Sequence, residues 1–353
     1  MRLLIVTDAW LPQINGVVRT HQSLVKHLQI QGVNVRLITP LEFRTIPCPS
    51  YPEIRLSLFA GRKMAGLIRS FRPSAIHIST EGPLGIAARK FCMRHKVPFT
   101  TAFHTRFPEY VEARTRIPAR YTNQIMKWFH KPSKAIMTAT KSLRDELREQ
   151  GFENVVTWTR GIDTDLFVPR SDKLFDHLDG PIFMYVGRVA VEKNIEAFLD
   201  LDLPGTKIVV GGGPQLGQLK NRYPQVHFTG MKEGTELAHH YASADVFVFP
   251  SLTDTFGLVL LEALACAVPV AAYPVTGPRD VIGRAPVGCL DYDLQKACLT
   301  ALQMEKDGCR EYAMDFSWEV CAAMFLQNLA AFDPADYGVF DQIEHKTIAP
   351  KAS

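Results

Sequence analysis

The sequence predicts an α/β protein made of two Rossmann-like βαβ domains, and three observations carry that expectation. Short apolar runs of strand length alternate with helix-length segments along the chain. The alternation starts twice, near residue 3 and again near residue 181, and a polar stretch, Ser171 to Gly180, reads as the linker between the halves. A length of 353 residues fits two domains, and 46% apolar with 22% charged residues is ordinary for a chain that buries a sizeable core.

Charge and cysteine usage narrow the classes. A formal charge of +4, with no basic tail and no nucleic-acid module, argues against a nucleic-acid partner. The seven cysteines are odd in number and scattered, and they form no CxxC pair. That pattern fits reduced thiols in the cytoplasm, with no disulfide frame and no metal site. The first apolar run stops at Asp8, too short for a signal peptide. The longest apolar stretch is broken by Glu262 and Pro269, so any membrane association is expected to be peripheral, on the inner face of the cell membrane.

In chain order, Leu3 to Thr7 reads as a strand, Leu11 to Gly16 as a loop, Val17 to Gln31 as a helix ended by Gly32, and Val33 to Thr39 as a second strand. Gly16 stands where loop meets helix, a place where a missing side chain lets backbone amides approach a phosphate. Ala75 to Ser79 is a strand, Leu84 to His95 a helix and Pro98 to Phe103 a strand, which brings Glu81 and His104 to carboxyl ends of strands, the ligand-binding edge of an open sheet. Between His104 and Lys134, seven Lys and Arg residues interleave with Phe107, Tyr110, Tyr121, Trp128 and Phe129. Such a basic-aromatic segment suits an anionic membrane surface, although a solvated helix with core aromatics has the same residue types.

The second half repeats the grammar. Pro181 to Val186 is a strand that runs into Gly187-Arg188-Val-Ala-Val-Glu192-Lys193-Asn194, and Lys207 to Val210 is a strand that runs into three glycines. A guanidinium fork at Arg188 and an ammonium at Lys193 could grip a diphosphate, or Arg188 could simply pair with Glu192. Asp245 to Pro250 is a buried strand closed by a proline, followed by a polar loop and a helix from Gly257 to Pro269. Asp254 falls in the loop and Glu262 near the helix start, where carboxylates can accept hydrogen bonds from ribose or sugar hydroxyls or can merely cap and complement the helix. Phe316 to Phe332 reads as an amphipathic helix with Trp318, Cys321, Phe325 and Leu329 on one side, and the tail beyond Asp333 as irregular, contributing little.

With these motifs in hand, the sequence resembles a retaining glycosyltransferase of family 4, of the GT-B type, through almost its whole length. The resemblance rests on Asp254 to Glu262 in TDTFGLVLLE, on GRVAVEKN at 187 to 194, on Gly16 in PQINGVVRT, on Gly161-Ile-Asp163 and on His104 in AFHTRFPEY. It implies two Rossmann-like domains facing across a cleft, an acceptor domain at 1–170 and a donor domain at 171–315, with a C-terminal helix, about 316–340, crossing back to the first. It implies a hexose moved from a UDP- or GDP-linked sugar to an acceptor hydroxyl by front-face displacement, with no cofactor and no metal.

Carried over by resemblance, Arg188 and Lys193 bind the diphosphate, Glu262 holds the ribose, Asp254 the transferred sugar, His104 contacts that sugar, and Gly16 admits phosphate and acceptor. Gly187, Thr255, Phe256, Gly257 and Leu258 complete the donor set, and Asn15, Glu81, Arg160 and Asp163 lie on the acceptor or interdomain side. Aspartate replaces the common glutamate at 254, and Ala267 replaces a common glycine. TDTFG, STEGPLG and the HTRFPEY-to-WFH segment look most like the subgroup acting on diacylglycerol and related membrane lipids. A transferase for soluble or polysaccharide acceptors, an epimerase of the same fold and a non-catalytic sugar-nucleotide binder are the alternatives.

Overall fold

The first apolar run forms β1 (Arg2–Val6), whose last four residues are buried, and the loop after it leads into α1 (Gly16–Ile30) and β2 (Asn34–Ile38). The computed structural model describes residues 1–13, 16–48, 51–104, 119–252 and 256–341. A hairpin of β3 (Thr45–Cys48) and β4 (Tyr51–Ser57) precedes α2 (Ala60–Phe71). Strands and helices then alternate as β5 (Ala75–Ile78), α3 (Pro83–His95), β6 (Thr100–Phe103), α4 (Ala119–His130), β7 (Ile136–Thr138), α5 (Lys141–Glu149) and β8 (Val155–Thr157). The six-stranded sheet runs β2-β1-β5-β6-β7-β8, parallel throughout. Strand order therefore reverses between β1 and β5, so the loops leaving these two neighbours diverge and open a crevice at the sheet's carboxyl edge.

The second sheet has the same logic. It contains β9 (Ile182–Val186), β10 (Thr206–Val210), β11 (His227–Gly230), β12 (Val246–Phe249), β13 (Val270–Ala272) and β14 (Gly288–Leu290), in the order β11-β10-β9-β12-β13-β14. Its helices are α6 (Glu196–Leu199), α7 (Leu216–Arg222), α8 (Gly234–Ala242), α9 (Leu258–Ala265), α10 (Thr276–Val281), α11 (Leu294–Ala301) and α12 (Asp307–Met314). Strand residues alternate between two cores: Ile182, Met184, Val186, Phe247 and Phe249 enter one, and Phe183, Tyr185, Val246 and Val248 the other. A sheet buried on both faces is what the unbroken apolar strands imply. Here the reversal falls between β9 and β12, which pair directly.

The chain divides into two compact units, Met1–Thr159 with Cys321–Ser353, and Arg160–Val320. The break therefore precedes the 170/171 boundary expected from sequence, because residues 160–169 pack with the second unit. The Arg310 guanidinium donates to the carbonyls of Thr164 and Phe167, and Phe167 enters that unit's core. Ser171 to Gly180 is likewise no bare linker: the Leu174 amide donates to Ser243 Oγ at 3.0 Å and Phe175 packs on the same core. The last helix, α13 (Trp318–Gln327), carries the chain from the second unit to the first, where Cys321 and Phe325 are fully buried. It ends before Leu329, and the expected Phe316–Phe332 span is shortened accordingly. The tail is also better anchored than expected: the Phe332 amide donates to the Ser74 carbonyl, and Phe340 is fully buried in the first core.

Candidate active site

In the second unit, the two loops that flank the strand-order reversal are the two motif loops. Gly187–Asn194 leaves β9, and Pro250–Gly257 leaves β12. Within the first, Val191–Lys193 forms a single 3₁₀ turn that Asn194 closes in the left-handed conformation, φ 51°. The Asn194 side-chain Nδ2 donates to the Pro250 carbonyl at 3.1 Å, which ties the loops together. Tyr185, buried in β9, donates its hydroxyl to the Arg188 carbonyl at 2.9 Å. Lys193 is half-buried at the turn's end. The Arg188 head is 66% exposed and 3.5 Å from Glu192, an ion pair worth well under about 1 kcal/mol at that exposure.

The glycines after β10 serve this loop. Gly187 donates its amide to Val210, and Val189 to Gly212. A Cβ at Gly211 (φ 143°) would lie 1.8 Å from the Gly187 carbonyl oxygen. Only a bare backbone lets the β10 exit lie that close.

Helix α9 starts on Gly257, φ 82°, with no side-chain cap and no acidic residue in its first turn. Glu262 is thus in the second turn, too far along to complement the helix dipole. It is instead held by Tyr241 of α8, whose buried hydroxyl donates to Glu262 Oε2 at 2.6 Å. Burial first, and the Glu262 charge second, push the Tyr241 hydroxyl pKa well above its usual value, so it stays a donor. Phe256 and Leu258 flank Gly257, half-buried. Ser251, fully buried after Pro250, has a side-chain oxygen with no hydrogen-bond partner among the described residues. Asp254 and Thr255 lie outside the described residues, as does Asn15.

In the first unit, the loop Ser79–Gly82 after β5 is pinned residue by residue. His21 of α1 bonds Ser79 Oγ at 2.7 Å, Thr80 Oγ donates to Asp8 Oδ2 at 2.9 Å, and His130 of α4 bonds Glu81 Oε1 at 3.2 Å. Asp8, at the end of β1, also accepts from the Leu84 and Gly85 amides and so caps α3 from a distant strand. Burial pushes the Asp8 carboxyl up and outweighs these donors, which pull it down. Asp8→Ala would leave three donors, two of them buried, without their acceptor, and we expect a loss of about 2–3 kcal/mol in urea unfolding.

His104 follows β6, its ring 5.7 Å from that of His21 and 6.0 Å from that of Trp158. A Cβ on Gly16 would meet nothing within 4 Å, so the first turn of α1 is open there. Arg160 is buried, whereas the Asp163 carboxylate is turned back on its own loop, accepting from the Asp165 and Leu166 amides.

Asp8, His21 and His130 on the first unit, and Tyr185, Asn194 and Tyr241 on the second, were not singled out from sequence. Asn194 at least lay inside the GRVAVEKN motif.

A model described as Glycosyltransferase Family 4 matches residues 14–166, and one described as Glycosyl transferases group 1 matches residues 180–303. A GDP-mannose-dependent alpha-mannosyltransferase of Mycobacterium tuberculosis is 30% identical over 82% of this chain and 83% of its own. A sulfoquinovosyl transferase of Arabidopsis thaliana is 30% identical over 76% of this chain, which spans only 58% of that relative's length. An alpha-monoglucosyldiacylglycerol synthase of Streptococcus pneumoniae is 26% identical over 94% of this chain and 85% of its own. Among solved structures, sucrose-phosphate synthase from Thermosynechococcus elongatus superposes with a TM-score of 0.71 at 20% identity, over 92% of this chain and 97% of that one. The fold is GT-B. The chain belongs to glycosyltransferase family 4. It is a hexosyltransferase, and the epimerase alternative finds no support.

Proposed function

We propose that this chain transfers a hexose, with retention, from a UDP- or GDP-linked sugar to a hydroxyl of a membrane lipid such as diacylglycerol. The observation that carries the donor half is the meeting of both motif loops at the β9/β12 reversal, tied by Asn194 to Pro250. On this reading Arg188 and Lys193 take the diphosphate, Glu262 the ribose hydroxyls, Asp254 and His104 the transferred sugar, and Gly187, Thr255, Phe256, Gly257 and Leu258 line the donor. Gly16 leaves room for phosphate and acceptor, with Asn15, Glu81, Arg160 and Asp163 on the acceptor side. The sugar's C1–O bond to the diphosphate breaks as the acceptor oxygen bonds C1 on the same face. The acceptor proton passes to the leaving phosphate oxygen, and the two cations offset its charge. Relatives that use GDP-mannose or make a glucosyl-diacylglycerol support the donor class and the lipid acceptor.

A thermal-shift series with UDP, GDP and their hexose conjugates tests the donor half. A ligand bound only by the native state raises the melting temperature progressively with concentration. No shift with any of them would remove the donor site.

A bilayer partner is supported by the partition of charge. Lys and Arg outnumber Asp and Glu by 26 to 14 in the first unit and are outnumbered 14 to 22 in the second. Among the described residues no helix is long and apolar enough to cross a membrane. Residues 105–118 of the basic-aromatic segment lie outside the description; in α4, Ile125 and Trp128 are exposed. The hairpin region adds Leu41, Ile46, Leu58 and Phe59, the last 94% exposed at φ 53°, with Arg44, Arg62 and Lys63 nearby in the chain. A bulky residue in the left-handed region with nothing covering it is out of place on a surface that meets only water. We expect Leu58→Ser with Phe59→Ser to weaken sedimentation with anionic vesicles about tenfold, and wild-type binding to fall with salt. Equal binding to neutral vesicles would contradict the electrostatic part.

A further inference from the structure

Glu81 and His130 form a dyad in the first unit. His130 is fully buried on α4, amid Phe103, Phe129 and Phe152, and its Nε2 lies 3.2 Å from Glu81 Oε1. Its other nitrogen, Nδ1, is 2.9 Å from Thr101 Oγ1. Thr101 Oγ1 in turn lies 3.0 Å from Ser133 Oγ, and Ser133 Oγ 2.6 Å from the Ala135 carbonyl.

The direction of this chain is fixed by its end. A carbonyl only accepts, so Ser133 donates to Ala135, and Thr101 must donate to Ser133. Two hydroxyl hydrogens are then used, and the third bond requires the hydrogen of His130 Nδ1. With Nδ1 committed to Thr101, Nε2 is the ring nitrogen that holds Glu81 Oε1.

Glu81 has a second oxygen. Its side chain is 28% exposed, and among the described residues the bond to His130 is the one hydrogen bond it makes. Oε2 belongs to a part-exposed side chain on a loop where Ser79 is held by His21 and Thr80 by Asp8, beside the β1/β5 reversal. Asp8, bonded to the neighbouring Thr80, has its carboxyl pushed up chiefly by burial and only lastly by Glu81.

We propose that Glu81 Oε2 accepts the hydrogen bond of the acceptor hydroxyl, and that His130 is its positioning residue, fixing the carboxylate's rotamer. This rests on the reading that the first unit takes the acceptor. His130 touches neither substrate, and its effect is expected on acceptor binding alone.

The test compares wild type, His130→Phe, His130→Gln and Glu81→Gln in transfer from UDP-glucose or GDP-mannose to diacylglycerol in mixed micelles, varying each substrate. Glutamine at 130 can still donate to Glu81, whereas phenylalanine fills the aromatic pocket and cannot. We expect His130→Phe and Glu81→Gln to raise the acceptor KM about tenfold or more. Donor KM and the UDP- or GDP-induced thermal shift should hold, and His130→Gln should recover most of the acceptor KM. An unchanged acceptor KM in folded Glu81→Gln, an effect on donor KM instead, or no recovery by glutamine overturns the assignment while leaving the transferase reading intact. Absence of transfer by the wild type with either donor overturns both. If His130→Phe fails to fold, Glu81→Gln and His130→Gln decide between the same outcomes.

Discussion

Lys193→Ala lowers kcat/KM for sugar transfer by about a hundred- to a thousandfold, with the urea midpoint close to wild type. The expectation follows from where the lysine stands. Its turn is closed by Asn194 and bonded through it to the end of β12, so the ammonium is presented by backbone that the second loop holds in place. A fixed cation aimed at charge that builds on a leaving group is worth roughly 3–4 kcal/mol, which is the size of the expected loss. The fold should survive, because the lysine is half-buried at the surface and no core cluster includes it. Arg188→Ala should fold equally well, since it gives up one exposed ion pair. Undiminished turnover in Lys193→Ala would remove the diphosphate role.

Gly211→Ala should destabilise the second unit by about 3 kcal/mol or more. The new Cβ would sit 1.8 Å from the Gly187 carbonyl oxygen at a backbone φ of 143°, and the obstructing atom is backbone, not the end of a flexible chain. Strain of this kind costs of order 1–3 kcal/mol before any clash is counted. The displaced segment is the one that begins the Arg188 loop, so nucleotide-induced thermal stabilisation should fall with it. Gly212→Ala is the control: its Cβ meets only Met231 Cε at 3.7 Å, an ordinary contact. Equal urea midpoints for the two variants would show that the close approach of β10's exit to Gly187 does not matter.

The two βαβ beginnings were legible because their strands are continuous apolar runs and their loops are marked by Gly, Pro and charge. That local grammar also brought Gly187, Arg188, Lys193 and Glu262 to the right loops and helix. What the sequence did not reveal depends on partners far apart in the chain. Tyr241 matters through Glu262, 21 residues on, and His130 through Glu81, 49 residues back. No periodicity marks either pair. The β3–β4 hairpin was passed over because three prolines interrupt its alternation. The tail was misjudged for a related reason: Val339 and Phe340 sit in a short 3₁₀ turn with no amphipathic stretch around them, yet both are buried. The linker reading of residues 171–180 failed because polarity says nothing about the backbone and Phe175 contacts that hold the segment to its own unit.

The most direct measurement is product analysis after incubating the purified chain with UDP-glucose or GDP-mannose and diacylglycerol in anionic mixed micelles. A glycosyl-diacylglycerol whose anomeric configuration matches that of the donor is the predicted result. An inverted anomer would contradict the front-face path. Sugar transferred only to soluble glycans, with none on lipid, would contradict the acceptor.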